Sequence, residues 1–247
     1  MKLLIVAGVN GRFDLLSPLL DRFEHCISIG DFNLFSPLTD VNEFCANKHV
    51  EEGKRSQHSL EKFSTNSKIY HIYGSRDDPF TGSFSYFHQK GISFAGALMS
   101  LFGQTFHTLG GYYNYTPPKK DEWDVNDPPK SRLLLRESGI ELIGYMLELA
   151  KKKKEKRILI SYEPPAGYPF LGRGCPQLNS LIEHVDFWIY GHHDILSITN
   201  KIIGIPNLNR CYCVLDTKNL RFEIWHRFTE EEDYSLYTAI NMGDQGD

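Results

Sequence analysis

The chain has 247 residues, 41% hydrophobic and 23% charged, with a formal net charge of -4. That length suits one sizeable α/β domain or two small ones, and the composition is that of an ordinary globular protein. The acidic balance argues against a dedicated nucleic-acid binder, which carries a basic excess, and no stretch approaches the roughly 18 apolar residues of a transmembrane helix.

"KLLIVAG" at the start is an uninterrupted apolar run ending in glycine, the pattern of a buried strand. It is too short for the core of a secretion signal, so a cytoplasmic protein with no membrane association is expected. "RFDLLSPLLDRFEH" spaces Phe13, Leu16, Leu19, Leu20 and Phe23 as a helix face, with Pro18 tolerable in a first turn. "CISIGD" and "SKIYHIYGSRDD" are further strands, separated by a polar stretch from Asn42 to Ser67 that holds one charged helix and a loop. "ISFAG", "LMSLFG" and "QTFHTLGG" read as short strands around turns. "YYNYTPPKKDEWDVNDPPK" is a long loop of the kind that is usually functional or mobile, and its aromatics, with Trp123, form a candidate lip over a pocket.

From Ser131, a candidate N-cap, to Lys154 the pattern returns to helix, with Leu135, Leu142, Ile143, Met146 and Leu147 on one face. The basic run "KKKKEKR" closes it, where cations suit the helix dipole. "RILISYEPP" and "DFWIYGHHD" are strands with the short helix "PQLNSLIEHV" between them. "ILSIT", "KIIGIP", "RCYCVLD" and "RFEIWHRF" are short strands after them. The domain is expected to span 1–228, and the acidic tail, 229–247, to be weakly ordered. The five cysteines show no CxxC pair, and reduced structural thiols are expected. Strands alternating with helices, then hairpins, point to two sheets packed face to face with helices outside.

Four of these strands end in glycine plus polar residues ("AGVNG", "IGDFN", "YGSRDD", "YGHHD") and a fifth ends in "SYEPP". In α/β folds such carboxyl ends meet at one crevice. Their order and spacing resemble the calcineurin-like metallophosphoesterase superfamily, whose blocks are D-x-H, G-D, G-N-H-[DE], H and G-H-x-H. "SYEPPAG" and "GIPNLNRCYCVLD" resemble its flanking words. The resemblance runs from Lys2 to about Trp225 and implies a four-layer α/β/β/α sandwich, two mixed sheets flanked by helices.

Residue by residue, the resemblance implies a thinned ligand set. Gly8 and Asn10 stand in the first block, Asp31 is kept in the second, and Ser75, Arg76 and Asp77 form the third. Tyr162 stands for the fourth-block histidine. His192 is kept in the fifth, followed by His193 and then Asp194. The pocket is therefore expected to contain Asn10, Asp31, Ser75, Arg76, Asp77, Tyr162, His192, His193 and Asp194, with Asp31, Arg76 and His192 as the candidates for catalysis. Glycine offers no side-chain ligand, and neutral hydroxyls ligate poorly. No tight metal is expected, and a weakly held Mg²⁺, Mn²⁺ or Ca²⁺ would use Asn10, Asp31, His192 and Asp194. Arg76 is expected to reach into the old metal pocket and neutralise Asp31 or Asp194. His193 is expected on an exposed loop.

Three functions fit this pattern. The first is a metallophosphoesterase-like protein without its dinuclear site, acting as a binding or scaffold module toward a protein partner. The second is a divergent phosphoesterase, a phosphoric ester hydrolase using a single ion. The third is a non-hydrolysing sensor of a phosphorylated small molecule, held by Arg76, His192 and strand-end amides.

Overall fold

The computed structural model of the protein describes residues 1–37, 39–44, 50–75, 77, 84–111, 135–169, 173–229 and 231–242. Its first half alternates β1 (Lys2–Ala7), α1 (Phe13–Leu20), β2 (His25–Ile29), α2 (Val41–Phe44), α3 (Val50–Lys62), β3 (Lys68–Ile72), α4 (Phe84–Gln89) and β4 (Ile92–Phe94). Then come β5 (Leu98–Leu101), β6 (Gln104–Leu109), α5 (Glu137–Lys152), β7 (Ile158–Ser161), a 3₁₀ helix (Pro176–His184) and β8 (Phe187–Tyr190). The chain ends with β9 (Ser197–Ile198), β10 (Ile202–Gly204), β11 (Cys211–Asp216), β12 (Arg221–His226) and β13 (Ser235–Asn241).

The strands form two mixed sheets, ordered β13-β12-β11-β1-β2-β3-β4 and β5-β6-β7-β8-β10-β9. Strands β1 to β4 are parallel in the first, and β6, β7, β8 and β10 are parallel in the second. The continuous apolar run of β1 has a double use, because successive side chains leave a strand on opposite faces. Leu3, Ile5 and Ala7 join Ile27, Ile29, Phe106, Ile160 and Ile189 in the layer between the sheets. Leu4 and Val6 pack outward on Phe13, Leu16 and Leu20 of α1 and Leu60 of α3. On the far side, Ile143 and Leu147 of α5 and Leu178 of the 3₁₀ helix cover Leu159, Trp188 and Tyr190. Helices outside both sheets complete the α/β/β/α order.

Four local expectations need correcting. The acidic tail supplies β13, which pairs with β12 from Arg221↔Asn241 to His226↔Ser235 and places Met242 in the inter-sheet core. The domain thus continues through residue 242. Pro18 lies in the second turn of α1, not its first, and the helix stops at Leu20, within three residues of it. α5 begins at Glu137, its buried stripe is Ile140, Ile143, Leu147 and Ala150, and Leu142 is exposed. These four positions share one face at 3.6 residues per turn, whereas Leu142 is turned about 100° from Ile143. The segment Pro176–His184 is 3₁₀ and not α-helical. Ser131, Trp123 and the aromatic loop lie outside the described residues. Cys26, Cys175, Cys211 and Cys213 are free and buried, as expected.

Candidate functional site

The parallel strands β1, β2, β3, β7 and β8 end side by side, and each hands over to a turn. Backbone bonds weld these turns together. The amides of Gly8, Gly30 and Gly191 donate to the carbonyls of Ile29, Ile72 and Ser161, and that of Asn10 donates to Asp31. Several of these turn residues adopt the left-handed region, among them Asn10 (φ 51°), Asp31 (φ 36°) and His192 (φ 64°). That conformation is costly for residues with a Cβ and marks places where the surroundings dictate the backbone.

Asp31 is the hub. Its Oδ1 accepts a hydrogen bond from Ser75 Oγ at 3.1 Å, and its Oδ2 accepts one from Tyr162 Oη at 2.8 Å. Ser75 and Tyr162 are themselves 3.1 Å apart, closing a triangle. Tyr162 is fully buried, and its ring lies over the turns that follow β2 and β3. A Cβ built on Gly30 would stand 2.0 Å from Tyr162 Cδ2, and one on Gly74 would stand 2.7 Å from Cε2. Burial and the negative charge of Asp31 push the Tyr162 phenol well above its ordinary value. It is a neutral donor throughout the physiological range.

Beyond Tyr162 the rings continue. His192 stacks on it at 4.5 Å between centroids, and His193 stacks on His192 at 4.7 Å. Glu163 is 1% exposed and reaches to within 2.8 Å of His192 Nδ1. The turn holding Glu163 is fixed by Ser161 Oγ, which donates to the Glu163 carbonyl and accepts from Trp188 Nε1. His193 is half-buried rather than exposed. Burial, reinforced by neighbouring His192, takes its pKa down to about 4, so its imidazole is neutral near pH 7.

A pocket of about 180 Å³ opens over this cluster, lined among others by Gly8, Asn10, Asp31, Tyr162, His192, His193, Asp194 and Asn207. Six of the nine expected pocket residues therefore meet there. Ser75 touches the pocket through Asp31 and Tyr162. Asp77 does not belong to it. Its carboxylate is wholly buried and accepts from the amides of Phe32, Leu34 and Gly74 and from His71 Nε2 at 2.9 Å. It ties the ends of β2 and β3 together behind the pocket. Arg76 lies outside the described residues.

The four residues expected to hold a weak ion all line the pocket, with the Asn10 amide donating to the Gly8 carbonyl at 3.0 Å and Asp194 Oδ1 accepting from the Asn207 amide at 3.1 Å. Among the described residues, the group of metal-competent His, Cys, Asp and Glu side chains that does converge is Glu163, His192 and His193. Glu163 and Asn207 escaped the sequence reading. Glu163 stood at an unspecified position of "SYEPP", and its signal was its offset from Ser161, which matches that of His192 from Tyr190.

No family model matches the sequence, and no curated protein matches it. Solved structures do share its fold. TT1561 of Thermus thermophilus superposes with a TM-score of 0.56 at 11% identity, covering 91% of this chain and 98% of that one. A dimetal phosphatase from Danio rerio superposes with a TM-score of 0.58 at 12% identity, covering 96% of this chain and 99% of that one. With two mixed sheets, flanking helices and strand-end turns gathered at one pocket, the chain has the calcineurin-like metallophosphoesterase fold.

Proposed function

We propose that this is a metallophosphoesterase-like protein that has given up dinuclear metal hydrolysis and works by binding at its strand-end pocket. The observation that carries the reading is the position of Tyr162. Its ring fills the space over Gly30 and Gly74, and its hydroxyl bonds Asp31, the acid kept in the second block. Gly8 adds to this. A Cβ there would lie 2.9 Å from Asn207 Cβ at a φ of 50°, so a ligating side chain at that position has no room. The residues present therefore do not fit a dinuclear centre.

In a dinuclear phosphoesterase the ions activate water and clamp phosphate oxygens. Here two hydroxyl donors satisfy the carboxylate instead, which stabilises Asp31 without providing a Lewis acid. The side chains that line the pocket, amides, imidazoles and carboxylates, suit hydrogen-bonded recognition of a small polar group.

The test is hydrolysis of p-nitrophenyl phosphate and bis-p-nitrophenyl phosphate by purified protein with Mn²⁺, Mg²⁺ or Zn²⁺. We expect no turnover above the buffer rate and no binding of two ions per chain. Mn²⁺-dependent cleavage abolished by Asp31→Ala would falsify the proposal.

A further inference from the structure

We infer that Glu163, His192 and His193 form a mononuclear site for a divalent transition ion of the zinc class, set beside the Asp31 hub and not upon it. The parallel register of β7 and β8 builds the site. Ser161 pairs with Tyr190, so Glu163 and His192, each two residues further on, emerge side by side. His193 follows at once, and one ligand atom from each of the three lies within 4.8 Å of the others.

His192 lies between the rings of Tyr162 and His193, and because an imidazole binds an ion in its own plane, His193 would turn out of that stack to share the ion with His192. The His192 backbone is locked in the left-handed region by the turn at Gly191, where a Cβ would stand 2.9 Å from Ile29 Cγ2. Glu163 is nearly inaccessible, and its Oε1 lies 2.8 Å from His192 Nδ1, a buried nitrogen without a hydrogen-bond partner, so an ion there would be bound by both. Both histidines line the pocket, so a fourth position would open toward it.

Two imidazoles, one carboxylate and an open position make a mixed nitrogen and oxygen set. That set suits Zn²⁺ and its neighbours, while Mg²⁺ and Ca²⁺ prefer all-oxygen cages. The inference does not depend on the loss of hydrolysis proposed above. Zinc binding and phosphoester turnover are measured separately, and either can fail alone.

The experiment is calorimetric titration of ZnCl₂ into chelator-stripped protein, with the visible ligand-field spectrum of the Co²⁺ form as a second readout. Wild type should bind one ion per chain with a Kd in the micromolar range or below. His193→Asn should weaken binding by about tenfold or more and lose the Co²⁺ spectrum, while its metal-free thermal melt stays unchanged. His58→Asn, at an exposed histidine of α3 outside the pocket, should leave the affinity within about twofold. Absence of saturable Zn²⁺ binding, binding undiminished in His193→Asn, or binding lost in His58→Asn would each overturn the inference. Glu163→Gln is the weaker probe, because a change at so buried a position can disturb folding; His193→Asn decides.

Discussion

At Tyr162 the ring and the hydroxyl do separate work, and substitution can divide them. The ring fills a space bounded by two glycines, and the hydroxyl bonds Asp31 and Ser75. Tyr162→Phe keeps the packing and leaves Asp31 with the Ser75 bond, so it should cost about 1–2 kcal/mol, as for a lost hydrogen bond to a carboxylate. Tyr162→Ala removes the ring as well and should cost about 3–5 kcal/mol. Urea midpoints of the two variants check this, and equal losses would show that the ring contributes nothing. Asp77 has a different kind of importance. Burial alone would raise its pKa, but the His71 imidazole and the amides that bond it outweigh burial and hold it below the usual carboxylate range. A carboxylate lowered in the folded state contributes stability above its unfolded pKa, about 4, and loses it as pH falls through the lower folded value. Wild type should therefore lose stability on acidification below about pH 4. Asp77→Asn cannot accept all the same donors. It should be less stable at pH 7 by about 3 kcal/mol or more, and its midpoint should fall less steeply in acid than that of wild type. Parallel decline of the two would refute this role.

At the scale of the element, the strand-end turn is the unit that decides the site. Its glycines were visible in the sequence as the ends of "AGVNG", "IGDFN" and "YGSRDD", and the retained Asp31 was legible from its intact Gly-Asp context. What those glycines accommodate was not legible, because the Tyr162 ring that covers Gly30 and Gly74 comes about ninety to one hundred and thirty residues later in the chain. Glu163 was hidden for a related reason. An acid in a turn has no periodicity, and only the pairing of Ser161 with Tyr190 reveals its neighbour. The turn after β2 offers a direct test. The three atoms nearest a Cβ at Gly30 all belong to Tyr162, and its φ is 52°. Gly30→Ala alone should destabilise by about 3 kcal/mol or more through collision and left-handed strain together. In a Tyr162→Ala background only the strain remains, about 1–2 kcal/mol. A double-mutant cycle by urea unfolding should therefore return a coupling of about 2 kcal/mol. Additive effects would mean that the ring and the turn do not depend on each other.

For the whole molecule, the two-sheet sandwich could be read from hydrophobic periodicity because both sheets bury both faces. β1, β7 and β8 are nearly continuous apolar runs, β2 is buried along its whole length, and each fills two layers at once. β13 broke that rule. It lies at the edge of the first sheet, most of its side chains are exposed, and an acidic stretch precedes it, so nothing in its pattern marks a strand. It is held instead by its ladder to β12, by Ile240 and Met242 against the inter-sheet core, and by Tyr234. Tyr234 donates to the Leu208 carbonyl and lies under the Arg227 guanidinium at 4.8 Å. Deleting residues 230–247 should thus leave the fold in place, since β11 remains paired with β1 and β12 with β11. The loss of one edge strand and its two core residues should lower Tm by about 5–10 °C, given roughly 2–4 °C per kcal/mol for a chain of this size. It also bares the β12 edge, whose open N–H and C=O groups are a template for other strands. The shortened chain should therefore show concentration-dependent association by light scattering where the full chain does not. Zinc titration should be unchanged, because β12 stands three strands from β2 in the sheet order and contributes nothing to the pocket. A truncated chain that melts with the full one would mean that β13 adds no stability, and one that loses its strand-end pocket would mean that this edge and the pocket are coupled through the core.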